Sequence, residues 1–199
     1  MSIKHDKVTG VILAGGQARR MGGGDKGLIN VAGKPMIEYV IDALNLQIEK
    51  ILINANRNIE TYQAYKFPVI PDVDEGYQGP LAGMASCMRE SETEYIITAP
   101  CDAPLLPDDY VDRMMTQATK PGVEIAVADN GSRLQPVFSV VKVSLLESLR
   151  AYLDSGERKI DRWFEKHHMV KVDFSDEQET FENINTMEDV KNLEAQLSK

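Results

Sequence analysis

The segment LAGGQARRMGGGDKGL, residues 13 to 28, places six glycines beside Arg19, Arg20 and Lys26. Glycine has no Cβ, so such a run can adopt left-handed angles and aim successive backbone N–H groups at one bound anion. Between Gly15 and Gly27 the three bases face a single acid, Asp25, which makes the loop locally positive on a chain of formal net charge −9. That contrast suits a compact polyanion such as a nucleotide. No GK[ST] follows the required gap, so this is not a Walker A loop. Gly22, Gly24 and Gly27 spell GxGxxG, but the match starts well past Ala14 rather than at a strand end, a poor fit to a dinucleotide oxidoreductase.

The second residue able to do chemistry is Asp102, in PCDAP, just beyond the apolar run YIITAP. A carboxylate at the end of such a strand can coordinate Mg²⁺ bound to phosphate oxygens. Its ordinary alternative is an aspartate that caps a turn or helix. A basic glycine loop expected on the same edge favours the metal role.

These residues must be carried by regular elements. VTGVILA, residues 8 to 14, is apolar, β-branched and bounded by glycines, which predicts a buried strand with the loop at its C-terminal end. PMIEYVIDALNLQ has a helical period after Pro35. KILINAN, FPVIPD, YIITAP, VEIAVAD, PVFSVVK and MVKVDF read as strands. Helices are expected in IETYQAYK, GPLAGMASCMRE, SLLESLRAYLDSG and KIDRWFEKHH, and in PDDYVDRMMTQAT with Asp108 and Asp109 in its first turn. A last helix starts at Thr186, whose spacing to Asp189 resembles a capping box.

Strands alternating with helices predict an α/β fold, a three-layer α/β/α sandwich around a mostly parallel, Rossmann-like sheet, with residues 1–199 as a single domain. The only candidate extension is 129–145, where two strands follow one another without a helix. In such sheets ligands bind at the C-terminal strand ends, where the glycine loop is expected.

An apolar fraction of 43% with 27% charged residues is ordinary for a globular chain. No apolar run spans a membrane, and MSIKHDKVTG lacks the apolar stretch of a signal peptide. Cys87 and Cys101 form no CxxC pair, so a cytoplasmic location is expected. The acidic balance opposes general binding to nucleic acid. His167 and His168 are adjacent on a helix end and point apart, which argues against a metal pair. Cys101 reads as a small buried residue, and Ile160, Trp163 and Phe164 as packing of a helix on the sheet.

The first segment resembles the LAGGxSxRMGxxK signature of nucleotidyltransferases with a GT-A-like fold. GKP at 33–35, NAN at 54–56, PD at 71–72, GPLAGM at 79–84, PCDAP at 100–104 and FENINTMED at 181–189 occur in the order of the molybdenum cofactor guanylyltransferase family, so the resemblance spans nearly the whole chain. Ala18 stands where many relatives carry serine. Met187 replaces a proline frequent in NTPED.

The resemblance implies transfer of GMP from GTP to the terminal phosphate of molybdopterin, the pterin of the molybdenum cofactor, with Mg²⁺ as cofactor. It places Leu13, Ala14 and Gly15 against the guanine nucleotide, joined by Lys26, Asn54, Asp72 and Asp102, with Asp102 holding Mg²⁺. Arg20 would face the triphosphate, and Asn183 and Asn185 the pterin. Arg20, Lys26 and Asp102 form the expected catalytic set, and delivery proteins of molybdoenzymes enter as partners for the product.

Read from the residues alone, several of these roles keep a second explanation. Asp72 can accept the N1–H and N2 donors of guanine or simply close a turn. Asn54 and Asn56 at a strand end can bond the local backbone. Asn183 and Asn185 face the same way in an extended segment, but Asn185 can also help cap the last helix. Two rival functions share the first loop and Asp102: a CTP-dependent cytidylyltransferase acting on molybdopterin or another phosphorylated acceptor, and a noncatalytic nucleotide-binding adaptor. Arg20, Lys26 and Asp102 together speak against the adaptor.

Overall fold

The computed structural model describes residues 5–15, 24–73, 79–181, 184 and 186–197. Strand β1 (His5–Leu13) is buried continuously from Val8, as a central strand covered on both faces must be. After the glycine loop come a 3-10 turn, Lys26–Leu28, and a small hairpin of β2 (Asn30–Val31) and β3 (Lys34–Pro35). Helix α1 (Met36–Gln47) buries Met36, Ile37, Val40, Ile41 and Leu44 on one stripe. It stops where Ile48 turns extended and starts β4 (Ile48–Asn54) directly.

The chain continues through α2 (Ile59–Gln63), β5 (Val69–Ile70), α3 (Pro80–Glu90) and β6 (Tyr95–Pro100). Then follow α4 (Tyr110–Ala118), β7 (Ile125–Asp129), β8 (Leu134–Lys142), α5 (Leu146–Asp154), α6 (Ile160–Phe164), β9 (Met169–Asp173) and α7 (Met187–Leu197).

Seven strands form one sheet in the order β5-β4-β1-β6-β8-β7-β9, in which β8 alone runs against its neighbours. One face carries α1, α2 and α4, with Val40, Leu44, Tyr62, Tyr110 and Met114 in its core. The other carries α3, α5 and α6, with Leu81, Met84, Leu149, Trp163 and Phe164. The expected α/β/α sandwich is therefore present. A third small core joins α7 to the β2–β3 hairpin through Val31, Met36, Val190 and Leu193. No helix among the described residues is long and apolar enough to cross a membrane.

Two expectations are corrected. The strands at 129–145 are no extension: β8 enters the main sheet between β6 and β7. Its inner residues Phe138, Val140 and Val141 are too apolar to leave the core. Helix α4 begins later than expected, because the Tyr110 N–H closes a turn on the Pro107 carbonyl at 3.1 Å. Asp109 thus falls at the cap, Asp108 outside it, and the first-turn acid is Asp112. The capping box forms as expected: the Thr186 N–H donates to Asp189 Oδ2 at 2.8 Å, and the Asp189 N–H to Thr186 Oγ1 at 3.1 Å.

A candidate nucleotide site at the strand ends

Parallel pairing sets Leu13 beside both Asn54 and Pro100, so three strands end level around β1. The alignment continues past the sheet: the Ala14 N–H donates to the Asn54 carbonyl at 2.8 Å, and the Cys101 N–H to the Leu13 carbonyl at 3.1 Å. Leu13, Ala14, Asn54 and Asp102 consequently share one edge. Gly15 joins them, since a Cβ there would lie 3.6 Å from both Asn54 Oδ1 and Asn56 Nδ2.

On one side of this edge is an amide and carboxylate cluster. Asn54 Nδ2 donates to the Ile70 carbonyl at 3.0 Å and to Asp72 Oδ1 at 2.8 Å. Asn56 Nδ2 donates to Asp72 Oδ2 at 2.8 Å, and the Asp72 N–H returns a bond to Asn56 Oδ1 at 2.8 Å. The two asparagines therefore grip Asp72, one donor on each oxygen, and Asn54 also bonds the nearby backbone. Each carboxylate oxygen retains capacity for another donor.

Helix α3 closes on this cluster through Gly83. A Cβ at that position would come 2.1 Å from Asn54 Oδ1. Only glycine allows this approach, and GPLAGM supplies it.

On the other side, Lys26 Nζ donates to Asp102 Oδ2 at 2.8 Å, with both side chains largely shielded from solvent. Lys26 is placed by what surrounds it. Asp25, buried, accepts from the Tyr62 hydroxyl at 2.6 Å and from Asn58 Nδ2 at 3.3 Å. Gly27 fits between Tyr62 and Cys101, to which a Cβ would approach within 2.9 and 3.1 Å. Burial, reinforced by neighbouring negative charge, drives the Tyr62 phenol well above its ordinary range, so it remains a hydrogen-bond donor. Burial also raises the Cys101 thiol, with Asp102 and Asp25 adding to the effect, which favours the neutral thiol beside Asp102.

Sequence reasoning gave Asp25, Asn58 and Tyr62 no role, because their contacts run between segments far apart in the chain. The only signal was Asp25 itself, an acid inside a basic loop. Arg19, Arg20, Asn183 and Asn185 lie outside the described residues. Ile184, between the two asparagines, is buried in the small third core.

Among the described residues no three His, Cys, Asp or Glu side chains converge on a point where they could hold a metal ion together. The donor chemistry still fits Mg²⁺, which is bound through one or two carboxylates and completes its shell with water and substrate phosphates. Asp102 supplies one such carboxylate at the strand ends, paired there with Lys26.

A mostly parallel sheet with a lysine–carboxylate pair and an amide–carboxylate cluster at its strand ends has the form of a nucleotidyltransferase class of site. Residues 10–171 match the family described as MobA-like NTP transferase domain, and the chain belongs to that family. The molybdenum cofactor guanylyltransferase of Shewanella woodyi is 50% identical over 193 residues, covering 97% of this chain and 98% of that one. The protein of the same name from Shewanella pealeana is 51% identical, over 94% of each. Among solved structures, molybdopterin-guanine dinucleotide biosynthesis protein A from Archaeoglobus fulgidus shares the fold, with a TM-score of 0.81 at 23% identity over 96% of this chain and 98% of that one.

Proposed function

We propose that this chain is a molybdenum cofactor guanylyltransferase, transferring GMP from GTP to the terminal phosphate of molybdopterin and releasing pyrophosphate. The observation that carries the reading is 50% identity, over nearly the full length of both chains, to a relative of that name. The geometry supplies a chemistry to match.

An acceptor phosphate oxygen is ionised at neutral pH and can attack the α-phosphorus without a strong general base. A bond forms between that oxygen and the α-phosphorus while the bond to the β-phosphate oxygen breaks, and pyrophosphate leaves with the electron pair. Alignment and charge stabilisation are what the protein contributes. We assign Leu13, Ala14, Gly15, Asn54 and Asp72 to the guanine nucleotide, with Asp72 as acceptor for the N1–H and N2 donors. Lys26 and Arg20 stabilise charge on the departing pyrophosphate. Asp102 would hold Mg²⁺, which when bound neutralises charge on the phosphate oxygens. Asn183 and Asn185 receive the pterin.

On this reading the chain works in the cytoplasm, where its two free, buried cysteines stay reduced, and hands its product to delivery proteins of molybdoenzymes.

The test is turnover of the purified protein with Mg²⁺ and molybdopterin, offering GTP and CTP in parallel and detecting dinucleotide by mass. Product from GTP is expected. Product from CTP alone would move the chain to the cytidylyl branch.

A further inference from the structure

We propose that Gln135 donates a hydrogen bond from its side-chain amide to the acceptor substrate, a phosphorylated pterin, and so helps select it. The proposal rests on the guanylyl-transfer reading above. Gln135 is only 8% exposed, and its Nε2 is the one deeply buried side-chain nitrogen or oxygen among the described residues that lacks a hydrogen-bond partner. A primary amide nitrogen offers two donors. Leaving them dry and unpaired disfavours the folded state, so a native protein that keeps such a group has a use for it.

The sheet shows where that use lies. Strand β8 runs against β6 with Lys142 opposite Tyr95, which brings its first residues, Leu134 and Gln135, to the end of β6 that leads into Asp102. Gln135 pairs directly with Ala128 and therefore shares its face. On that face Ala128 belongs to one core with Cys101, Ala103, Phe138 and Phe181. Phe181 packs edge-on against Phe138 at 4.8 Å between ring centres, and the neighbouring Thr180 hydroxyl donates to the Leu105 carbonyl at 2.9 Å. Phe181 is thus held in the same core as Ala128, the residue that pairs with Gln135.

Strand order separates the two substrates. Asn54 and Asp72, assigned to the base, belong to the β4–β5 side, whereas β8 lies beyond β1 and β6. Three strand spacings amount to about 14 Å. Asp102 stands between them, so a nucleotide reaching from Asn54 to Asp102 leaves the Gln135 side for the acceptor. Pterin carbonyl and ring nitrogen atoms, and phosphate oxygens, are all acceptors suited to an amide N–H.

The placement is also fixed. The pairing of β7 and β8 slips between Val127 and Ala128, next to Gln135. Into that irregularity the Thr98 hydroxyl donates to the Val137 carbonyl at 2.6 Å and accepts from the Ser139 N–H at 3.2 Å. Bulges of this kind re-aim a side chain.

Gln135→Met keeps the length and removes the amide, and Gln135→Glu keeps an oxygen while removing the donor. For both variants and the wild type, KM for molybdopterin, Kd for GTP and Tm are measured. The expected result is an acceptor KM raised about tenfold in both variants, the loss of one hydrogen bond. GTP affinity should be unchanged, and the Met variant should have a Tm equal to or above that of the wild type. An unchanged acceptor KM, or an equal loss of GTP affinity, overturns the proposal, as does a Tm drop with no acceptor effect. Absence of guanylyl transfer in the wild type overturns the underlying reading instead, and the proposal with it.

Discussion

The Lys26 ammonium donates to the Asp102 carboxylate at 2.8 Å, joining the end of the glycine-rich loop to the end of β6 across 76 positions of sequence. With 19% and 11% of the two side chains exposed, the pair sits where charges interact more strongly than in bulk water. Each partner holds the other at the strand edge on which phosphates are expected.

Removing the ammonium should therefore damage the chemical step more than the fold. Lys26→Ala is expected to lose about 10²-fold or more in turnover, as single electrostatic donors do elsewhere. Steady-state kinetics at saturating GTP checks this, and a near-normal rate would take Lys26 out of the role.

The contact between Gly83 and Asn54 has a different signature. A methyl at Gly83 would press on an amide already tied to Ile70 and Asp72, so the overlap cannot be relieved by a simple swing of Asn54. Gly83→Ala should cost about 1–3 kcal/mol in stability and weaken GTP binding together with it. Thermal unfolding and calorimetric titration with GTP measure the two effects; a variant normal in both would show that the helix yields instead.

Tyr62 supports the loop from beneath. Tyr62→Phe deletes the donor to a buried carboxylate, Asp25, and should cost about 1–3 kcal/mol. A fall in Tm with a reduced kcat is expected, because Asp25 directly precedes Lys26. An unchanged Tm would mean that Asp25 finds another donor.

The segment leading to residues 183–185 is pinned to α4 by Arg113, which bonds both oxygens of Asp176 and the carbonyl of Asp173, and stacks 4.1 Å from the Phe174 ring centre. Hydrogen bonding from Arg113 holds the Asp176 carboxyl below its ordinary value. A depressed folded-state value means that the unfolded chain takes up the proton first as pH falls. The contact thus contributes stability above the ordinary carboxylate value and loses it as pH falls through the folded one. The effect is small because the Asp176 carboxylate is largely exposed. Asp176→Asn should lie slightly below the wild type in Tm at pH 7, with the gap closing in acid; a gap constant with pH would assign the difference to packing.

Much of this was legible in the sequence. The alternation of strands and helices, the position of the glycine loop after β1 and the box at Thr186 all follow from local patterns, because each is set by residues within one turn or strand. The placement of β8 was not, since an apolar run carries no mark of whether it pairs parallel, pairs antiparallel or leaves the sheet. Asp102 stood out because it lies just past the end of a strand, and the structure sets it there beside Lys26. Asn54 and Asn56 were given the backbone as their alternative partner, and their grip on Asp72 emerged only from the pairing of β4 with β5. Gly83 was legible as part of a motif, but its reason, the approach to Asn54, is a tertiary one.

Guanylyl transfer makes one demand that no other use of GTP shares. Protein, Mg²⁺ and molybdopterin are incubated with GTP labelled at the α-phosphorus, and separately at the γ-phosphorus. The α label should appear in the pterin dinucleotide and the γ label in pyrophosphate, in equal amounts. A γ label on the pterin, or release of labelled inorganic phosphate without dinucleotide, would contradict transfer of GMP.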